Sequence, residues 1–290
     1  MLKNFKTIKI SNDLFPYLVI FFSAFIFRIS IFYFGIFEIN SLTSDSYEYL
    51  NIAKSIEEFG VYGIEGIIDM NRAPTYPSFI FLSKFFIFSE IKKIIFIQIL
   101  LDAINCCLIF YISNQYQIKK IFKILLFILL VSCLYTASYA LMIMTETIYS
   151  FLITLSLFII SIQKRFYSFL FDIKISKLLI FAIILVLIVL TRPIFILTIF
   201  FFLLISFFYI LIFEYKNFAN NIFKIIVFGI FMSLIISPWI IRNIYNFSDD
   251  IFTKNSIATP IGYKTNYNMW KPFYMKEYKE FLKSYEEPFL

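Results

Sequence analysis

The sequence predicts an all-α polytopic transmembrane bundle of about seven spans, with an outer loop of interfacial amphipathic helices. Three observations predict it. Hydrophobic residues fill 61% of 290 positions and charged residues 16%, against roughly half and about a quarter in soluble domains. Apolar runs close to the ~20 residues needed to cross a bilayer recur along the chain. Lysine and arginine concentrate in alternate connections, the bias that sets orientation in a membrane.

The spans fall at residues 14–37, 94–113, 121–140, 147–163, 175–191, 194–213 and 222–245. No small-residue cleavage site follows the first run, so it reads as a retained signal anchor. A shorter run at 76–88 predicts a helix lying along the interface, with Lys84 reaching the head groups. Lys3, Lys6 and Lys9 precede the first span. Lys119, Lys120 and Lys123 follow the second; Lys164, Arg165, Lys174 and Lys177 follow the fourth; Lys216 and Lys224 follow the sixth. All four segments lie on one side, which the positive-inside rule marks as cytoplasmic. The opposite side receives the loop 38–93, the connections near Glu146 and Arg192, and the chain after Arg242. Residues 1–245 read as one transmembrane domain and 246–290 as an extracytoplasmic loop or tail. Within the loop, Asp45 followed by Glu48 ahead of Tyr49, Ile52, Ala53 and Ile56 has a capping-box pattern, and Gly60 stands where a helix ends. This predicts an amphipathic helix over 46–59, capped by Asp45.

The net charge of +7 comes largely from the inner loops and is explained by orientation and anionic lipid; nothing points to nucleic acid. Cys106, Cys107 and Cys133 all fall inside spans, which leaves no outer pair for a disulfide framework. With no histidine in the chain, imidazole bases and histidine-ligated metals are excluded. Any acid or base is Asp, Glu, Lys or Tyr.

Polar chemistry concentrates between residues 42 and 77: Ser44-Asp45-Ser46-Tyr47-Glu48-Tyr49, then Gly60-Val61-Tyr62-Gly63, then Asn71-Arg72-Ala73-Pro74-Thr75-Tyr76-Pro77. Such a surface suits a charged lipid head group. Asp45 reads equally well as a helix cap worth about 1 kcal/mol and as a general base. Arg72, restrained by two prolines, reads as a phosphate clamp or a head-group anchor. Arg192-Pro193, and Arg242 after Ser237-Pro238-Trp239, place positive charge on the outer side against the usual bias, which favours a specific anionic partner. Glu146 opens the fourth span, where the helix dipole favours a carboxylate. It is structural, or a second acid that orients an acceptor or a divalent metal ion. Two charges lie deeper: Arg28 is nine residues below the outer end of its span and Asp102 eight below the end of the next, both ~12–14 Å down at ~1.5 Å per residue. Equal depth predicts a structural ion pair, for which simultaneous charge reversal restores the folding that either single reversal loses.

Taken in order, Asp45 with Tyr49 and Ala53 ahead of Gly60 and Tyr62, then Arg72-Ala73-Pro74-Thr75-Tyr76-Pro77, Thr145-Glu146, Thr191-Arg192-Pro193, and Pro238-Trp239-Ile240-Ile241-Arg242-Asn243 resemble the membrane glycosyltransferases of the C-type superfold. The resemblance is to the branch of dolichyl-phosphate-mannose protein mannosyltransferases and bacterial aminoarabinose transferases, and it covers most of the chain. It implies an inner-membrane enzyme whose active site faces outward. A sugar passes, with inversion, from a polyprenyl-phosphate carrier to a lipid, glycan or protein acceptor. On this resemblance Asp45 deprotonates or orients the acceptor and Glu146 matches a second acidic position. Arg72, Arg192 and Arg242 neutralise the departing phosphate, and Tyr49 and Tyr76 contact substrate. The chemistry is consistent with that mapping, because fixed cations in a low-dielectric cleft stabilise developing phosphate charge. Members of the branch carry several further spans, so the resemblance also implies that a C-terminal part is lacking here.

Two other classes compete. A transporter or lipid translocase makes Arg28 and Asp102 the working charges, although no duplicated halves are visible. A non-catalytic assembly subunit makes the outer residues an interaction surface.

Overall fold

The computed structural model describes residues 14–34, 42–70, 72–83, 90–116, 118–162 and 174–252. The expected roles of Lys3, Lys6, Lys9, Lys84, Lys164 and Arg165, and of the tail beyond residue 252, lie outside these residues. The described chain is almost wholly helical: α1 (Phe15–Tyr33), α2 (Ser44–Phe59), a ribbon of β1 (Gly63–Ile64) and β2 (Ile67–Ile68), α3 (Thr75–Ser83), α4 (Glu90–Gln115), α5 (Lys120–Ser132), α6 (Leu134–Leu141), α7 (Glu146–Ser161), α8 (Ile175–Val189), α9 (Phe195–Phe213) and α10 (Phe218–Phe252).

Among the described residues, five stretches are long and apolar enough to cross a membrane: Phe15–Tyr33, Ile91–Gln115, Lys120–Leu141, Phe195–Phe213 and Phe218–Phe247. The chain is an integral membrane protein. The expected count of seven is not reached on length, since α7 and α8 have 16 and 15 residues, or ~22–24 Å at ~1.5 Å each, short of a ~30 Å hydrocarbon core. Thr145-Glu146 at one end of α7 and Thr191-Arg192-Pro193 after α8 trim them. The expected single span at 121–140 is two helices, α5 and α6, divided at Cys133, whose backbone is extended (φ −67°, ψ 102°).

These residues sort into two compact units, one of residues 1–41 and 82–237 and one of 42–81 and 238–290. In the first, α4 packs against α1, α5, α6 and α7, and α7 against α8. Small side chains let α1 and α4 approach closely: Ala24, Ala103 and Cys106 are buried with Ile20, sealed by Phe21, Phe25 and Phe110. Helix α8 buries Leu178, Phe181, Ala182, Leu185, Ile188 and Val189. In α9, by contrast, Ile196, Leu197, Phe200, Phe201, Leu204, Ile205 and Phe208 are all exposed, as lipid contact requires.

The second unit is built on α2. Its cap is Thr43, not Asp45. Thr43 Oγ1 accepts from the Ser46 N–H and Ser46 Oγ from the Thr43 N–H, each at 3.2 Å, a reciprocal box in which serine does the work expected of Glu48. The helix therefore starts at Ser44, Asp45 sits in its first turn, and Gly60 ends it in the left-handed conformation. Ser55 ties the helix to the ribbon, donating to the Val61 carbonyl at 3.0 Å and accepting from the Gly66 N–H at 3.1 Å. Glu65 (φ 51°) and Gly66 (φ 77°) form the two-residue turn with both φ positive that suits a tight hairpin. Gly63 pairs with Ile68, and a Cβ on Gly63 would lie 1.8 Å from the Ile67 carbonyl oxygen. In α10, Pro238 cannot donate to the Leu234 carbonyl. The Ser237 hydroxyl donates to it instead, at 3.0 Å.

Candidate functional site

Capping by Thr43 leaves the Asp45 carboxylate available for tertiary contact. Arg72, placed by Tyr62 Oη donating to its backbone carbonyl at 2.9 Å, spreads its guanidinium between two acids: Nη2 donates to Asp45 Oδ1 and Nε to Glu48 Oε2. The two acids are three residues apart on α2 and so share a face. Side-chain exposure separates their roles: 37% for Asp45, 17% for Arg72 and 2% for Glu48. Glu48 anchors the arginine from inside, and Asp45 meets it at the rim. Burial opposes the guanidinium charge, but Glu48, Tyr49 and Asp45 outweigh it and hold Arg72 above the ordinary arginine value.

Behind this fork stand the two tyrosines expected to touch substrate. The Arg72 guanidinium lies 5.2 Å from the Tyr49 ring centre, and Tyr49 meets Tyr76 edge-on at 4.9 Å. Tyr49 is 7% exposed and Tyr76 0%. Both rings pack behind the arginine.

Arg242, in the same unit, is committed to backbone. Nη1 donates to the Asp69 carbonyl at 2.8 Å and to Asn243 Oδ1 at 2.7 Å, and Nη2 to the Tyr62 carbonyl at 2.6 Å. Its guanidinium lies 4.8 Å from the Trp239 ring and 5.4 Å from that of Tyr62. Tyr62 and Asp69 flank the β-ribbon, so Arg242 staples α10 to the ribbon's open end. The Nη donors expected to meet phosphate are engaged here by two backbone carbonyls and the Asn243 amide oxygen. Burial, followed by Asp69, raises the Tyr62 phenol well above its ordinary value.

The first unit holds the other expected pair. Arg192 follows α8, its backbone N–H bonded to the Ile188 carbonyl at 2.9 Å, while Thr191 Oγ1 donates to Leu187 at 2.7 Å. The guanidinium donates through Nη2 to Glu146 Oε1 and through Nε to Thr145 Oγ1 at 3.1 Å. It lies 5.4 Å from the Tyr149 ring. With 40% side-chain exposure against 23% for Glu146, Arg192 is far more open than Arg72.

Deeper in that unit, Arg28 Nε donates to Asp102 Oδ2 at 2.7 Å. The same guanidinium donates to the carbonyls of Ala24 (3.3 Å), Val131 (2.8 Å) and Leu130 (3.1 Å), to Thr136 Oγ1 (3.3 Å) and to Cys106 Sγ (3.6 Å). Every N–H of Arg28 is engaged, at 0% exposure.

Sequence reasoning missed the Glu48–Arg72 bond, whose signal was the three-residue spacing of the two acids. It also missed the bond from Arg192 to Thr145, and Gln98, which carries no motif and donates to the Ala140 and Met142 carbonyls. Among the described residues no three His, Cys, Asp or Glu side chains gather as a metal site. Asp45 and Glu48 do gather, and between them the Arg72 guanidinium takes the position a cation would need.

These features define a helical membrane protein whose described residues hold the Asp45–Arg72–Glu48 cluster in one unit and the Glu146–Arg192 and Arg28–Asp102 pairs in the other. Comparison with family models, curated proteins and solved structures found no match, so the functional reading rests on the sequence motifs and on this geometry.

Proposed function

We propose that the chain is an integral membrane glycosyltransferase that moves a sugar from a polyprenyl-phosphate carrier to an acceptor outside the cytoplasm, with inversion. The observation that carries the proposal is the Asp45–Arg72–Glu48 fork. A carboxylate at the start of α2 is bound through one oxygen by a partly buried guanidinium and is itself 37% exposed, so it is both oriented and reachable. In the proposed reaction an acceptor hydroxyl attacks the anomeric carbon, its proton passes to Asp45, and the bond from that carbon to the phosphate oxygen breaks as prenyl phosphate leaves. Fixed cations stabilise the charge that develops on the phosphate. Of the three arginines assigned to that role by the resemblance, Arg192 is more open than Arg72, and Arg242 is bonded to the Tyr62 and Asp69 carbonyls. With α7 and α8 also crossing, the lysine-rich connections fall on the cytoplasmic side and α2 on the outer side, the orientation we propose for a bacterial inner membrane.

The full engagement of Arg28 argues against a transport path through that residue, since a working charge needs an exchangeable partner. The test is transfer by the purified protein from labelled prenyl-phosphate sugars to cell-envelope lipid. Transfer is expected from the native chain and from Lys54→Gln, an exposed change on α2, and is lost in Asp45→Asn. Transfer that survives Asp45→Asn overturns the base assignment. Absence of transfer from every donor overturns the enzyme reading in favour of an assembly subunit.

A further inference from the structure

Helix α6 has eight residues, and both of its ends fall where backbone groups have no helical partner. In hydrocarbon such groups must be satisfied by protein. The satisfaction comes from α4 and α1. At the break, Arg28 takes the Val131 and Leu130 carbonyls that α5 releases, and Cys106 Sγ also donates to Leu130 at 3.4 Å. Asp102, one α4 residue from Ala103 at the α1 seam, holds Arg28 in place. At the other end, Gln98 Nε2 donates to the Met142 carbonyl at 2.7 Å and to that of Ala140 at 3.2 Å. Gln98 and Asp102 are four residues apart and lie one above the other on one face of α4. Gln98 is 0% exposed and Asp102 3%.

An unbroken helix over 120–141 would bond its own backbone and need neither polar group. Retaining them in an apolar interior is costly, and what the break secures is the placement of the chain leaving α6. From the Met142 carbonyl, which also accepts from the Met144 N–H at 2.9 Å, it is three residues to Thr145 and four to Glu146, the partners of Arg192. We infer that Gln98, and Arg28 with Asp102, are positioning residues. They clamp the two ends of α6 and thereby set Thr145 and Glu146 against Arg192. The role in transfer rests on the glycosyltransferase reading; the clamp itself does not.

The experiment separates the two. In a variant with Cys106, Cys107 and Cys133 replaced by serine, Thr145→Cys and Arg192→Cys are introduced, and crosslinking by a short bis-thiosulfonate is followed in native membranes. Gln98→Met, which keeps the volume and removes the donor, is expected to slow crosslinking at least tenfold. Gln98→Asn, which keeps the donor on a shorter arm, gives an intermediate rate and serves where Gln98→Met does not accumulate as folded protein. An unchanged rate in either variant overturns the clamp, whatever the activity. In the transfer assay, Gln98→Met on the native background is expected to lower kcat about tenfold with the donor KM unchanged. Slowed crosslinking without transfer from the native chain leaves the clamp standing and removes the sugar-transfer reading alone.

Discussion

Removing the Arg28 guanidinium tests the energetics of the buried network most directly. Arg28→Met keeps the apolar stem and deletes five donors. It leaves the Asp102 carboxylate, 4% exposed, without its cation, and breaking a buried pair from one side costs about 3–5 kcal/mol. It also removes the Arg28 donor from the Val131 carbonyl and from that of Leu130, which keeps only the Cys106 thiol, at roughly 0.6–1.7 kcal/mol each within a membrane. The single change should therefore cost about 4–8 kcal/mol, most of the stability of an ordinary domain. Asp102→Leu leaves Arg28 its carbonyl and hydroxyl acceptors and costs less, about 3 kcal/mol. Arg28→Met with Asp102→Leu leaves no unpaired charge, only the two carbonyls, so the double variant should lose only about 2 kcal/mol. It should melt above Arg28→Met by several degrees, at ~2–4 °C per kcal/mol for a chain of this size. The measurement is a thermal melt in detergent read by a thiol-reactive fluorophore, which reports release of buried Cys106. A double variant that melts below both single variants refutes the reasoning. The rescue by double charge reversal expected from sequence is withdrawn for the same cause: aspartate at position 28 cannot donate to Leu130 and Val131.

Three further outcomes concern the second unit. Glu48→Gln, by removing the buried partner of Arg72, should cost about 2–4 kcal/mol, whereas Asp45→Asn at the exposed rim should cost under ~1 kcal/mol while abolishing transfer; paired melts and transfer assays distinguish a stability residue from a chemical one. Gly63→Ala forces a Cβ against the Ile67 backbone, with no flexible side chain to yield, and should destabilise by about 1–3 kcal/mol, seen as faster hydrogen exchange at Asp69, whose N–H bonds the Tyr62 carbonyl. Burial, with Asp69, raises the Tyr62 phenol in the folded state, so that contribution to stability is intact below the ordinary value of about 10 and drains as pH climbs past it, because the unfolded chain releases a proton that the folded chain retains. Tyr62→Phe should flatten that alkaline slope; a slope identical to the native one refutes the assignment.

What was legible in the sequence was what a single residue or a period can carry. Apolar runs located the long helices to within a few residues, and Gly60 marked its helix end because a left-handed cap favours glycine. The cap at the other end was misread because Thr43 and Ser46 satisfy the same two backbone donors that an Asp45–Glu48 box would. The local pattern contains both solutions, and only the tertiary claim of Arg72 on the two acids decides between them. Arg242 reads from the sequence only as a cation for an anionic partner, since nothing local reveals that the ribbon presents two carbonyls to it.

The break at Cys133 is the instructive case, because the residue at the break gives no signal while a distant one does. A buried guanidinium carries five N–H donors. One carboxylate accepts two of them at best, so pairing Arg28 with Asp102 alone leaves at least three unsatisfied in hydrocarbon, where no water is available to take them. Hydroxyl and thiol groups such as Thr136 and Cys106 absorb part of the remainder. The rest goes to backbone carbonyls, that of Ala24 within α1 and those of Val131 and Leu130, which are released where α5 ends. Arg28 at mid-span, with a single acid at matching depth, therefore needs acceptors beyond Asp102, and the end of α5 supplies two of them. Counting donors rather than charges thus accounts for the Leu130 and Val131 carbonyls at the split between α5 and α6, which the ion pair alone leaves unexplained.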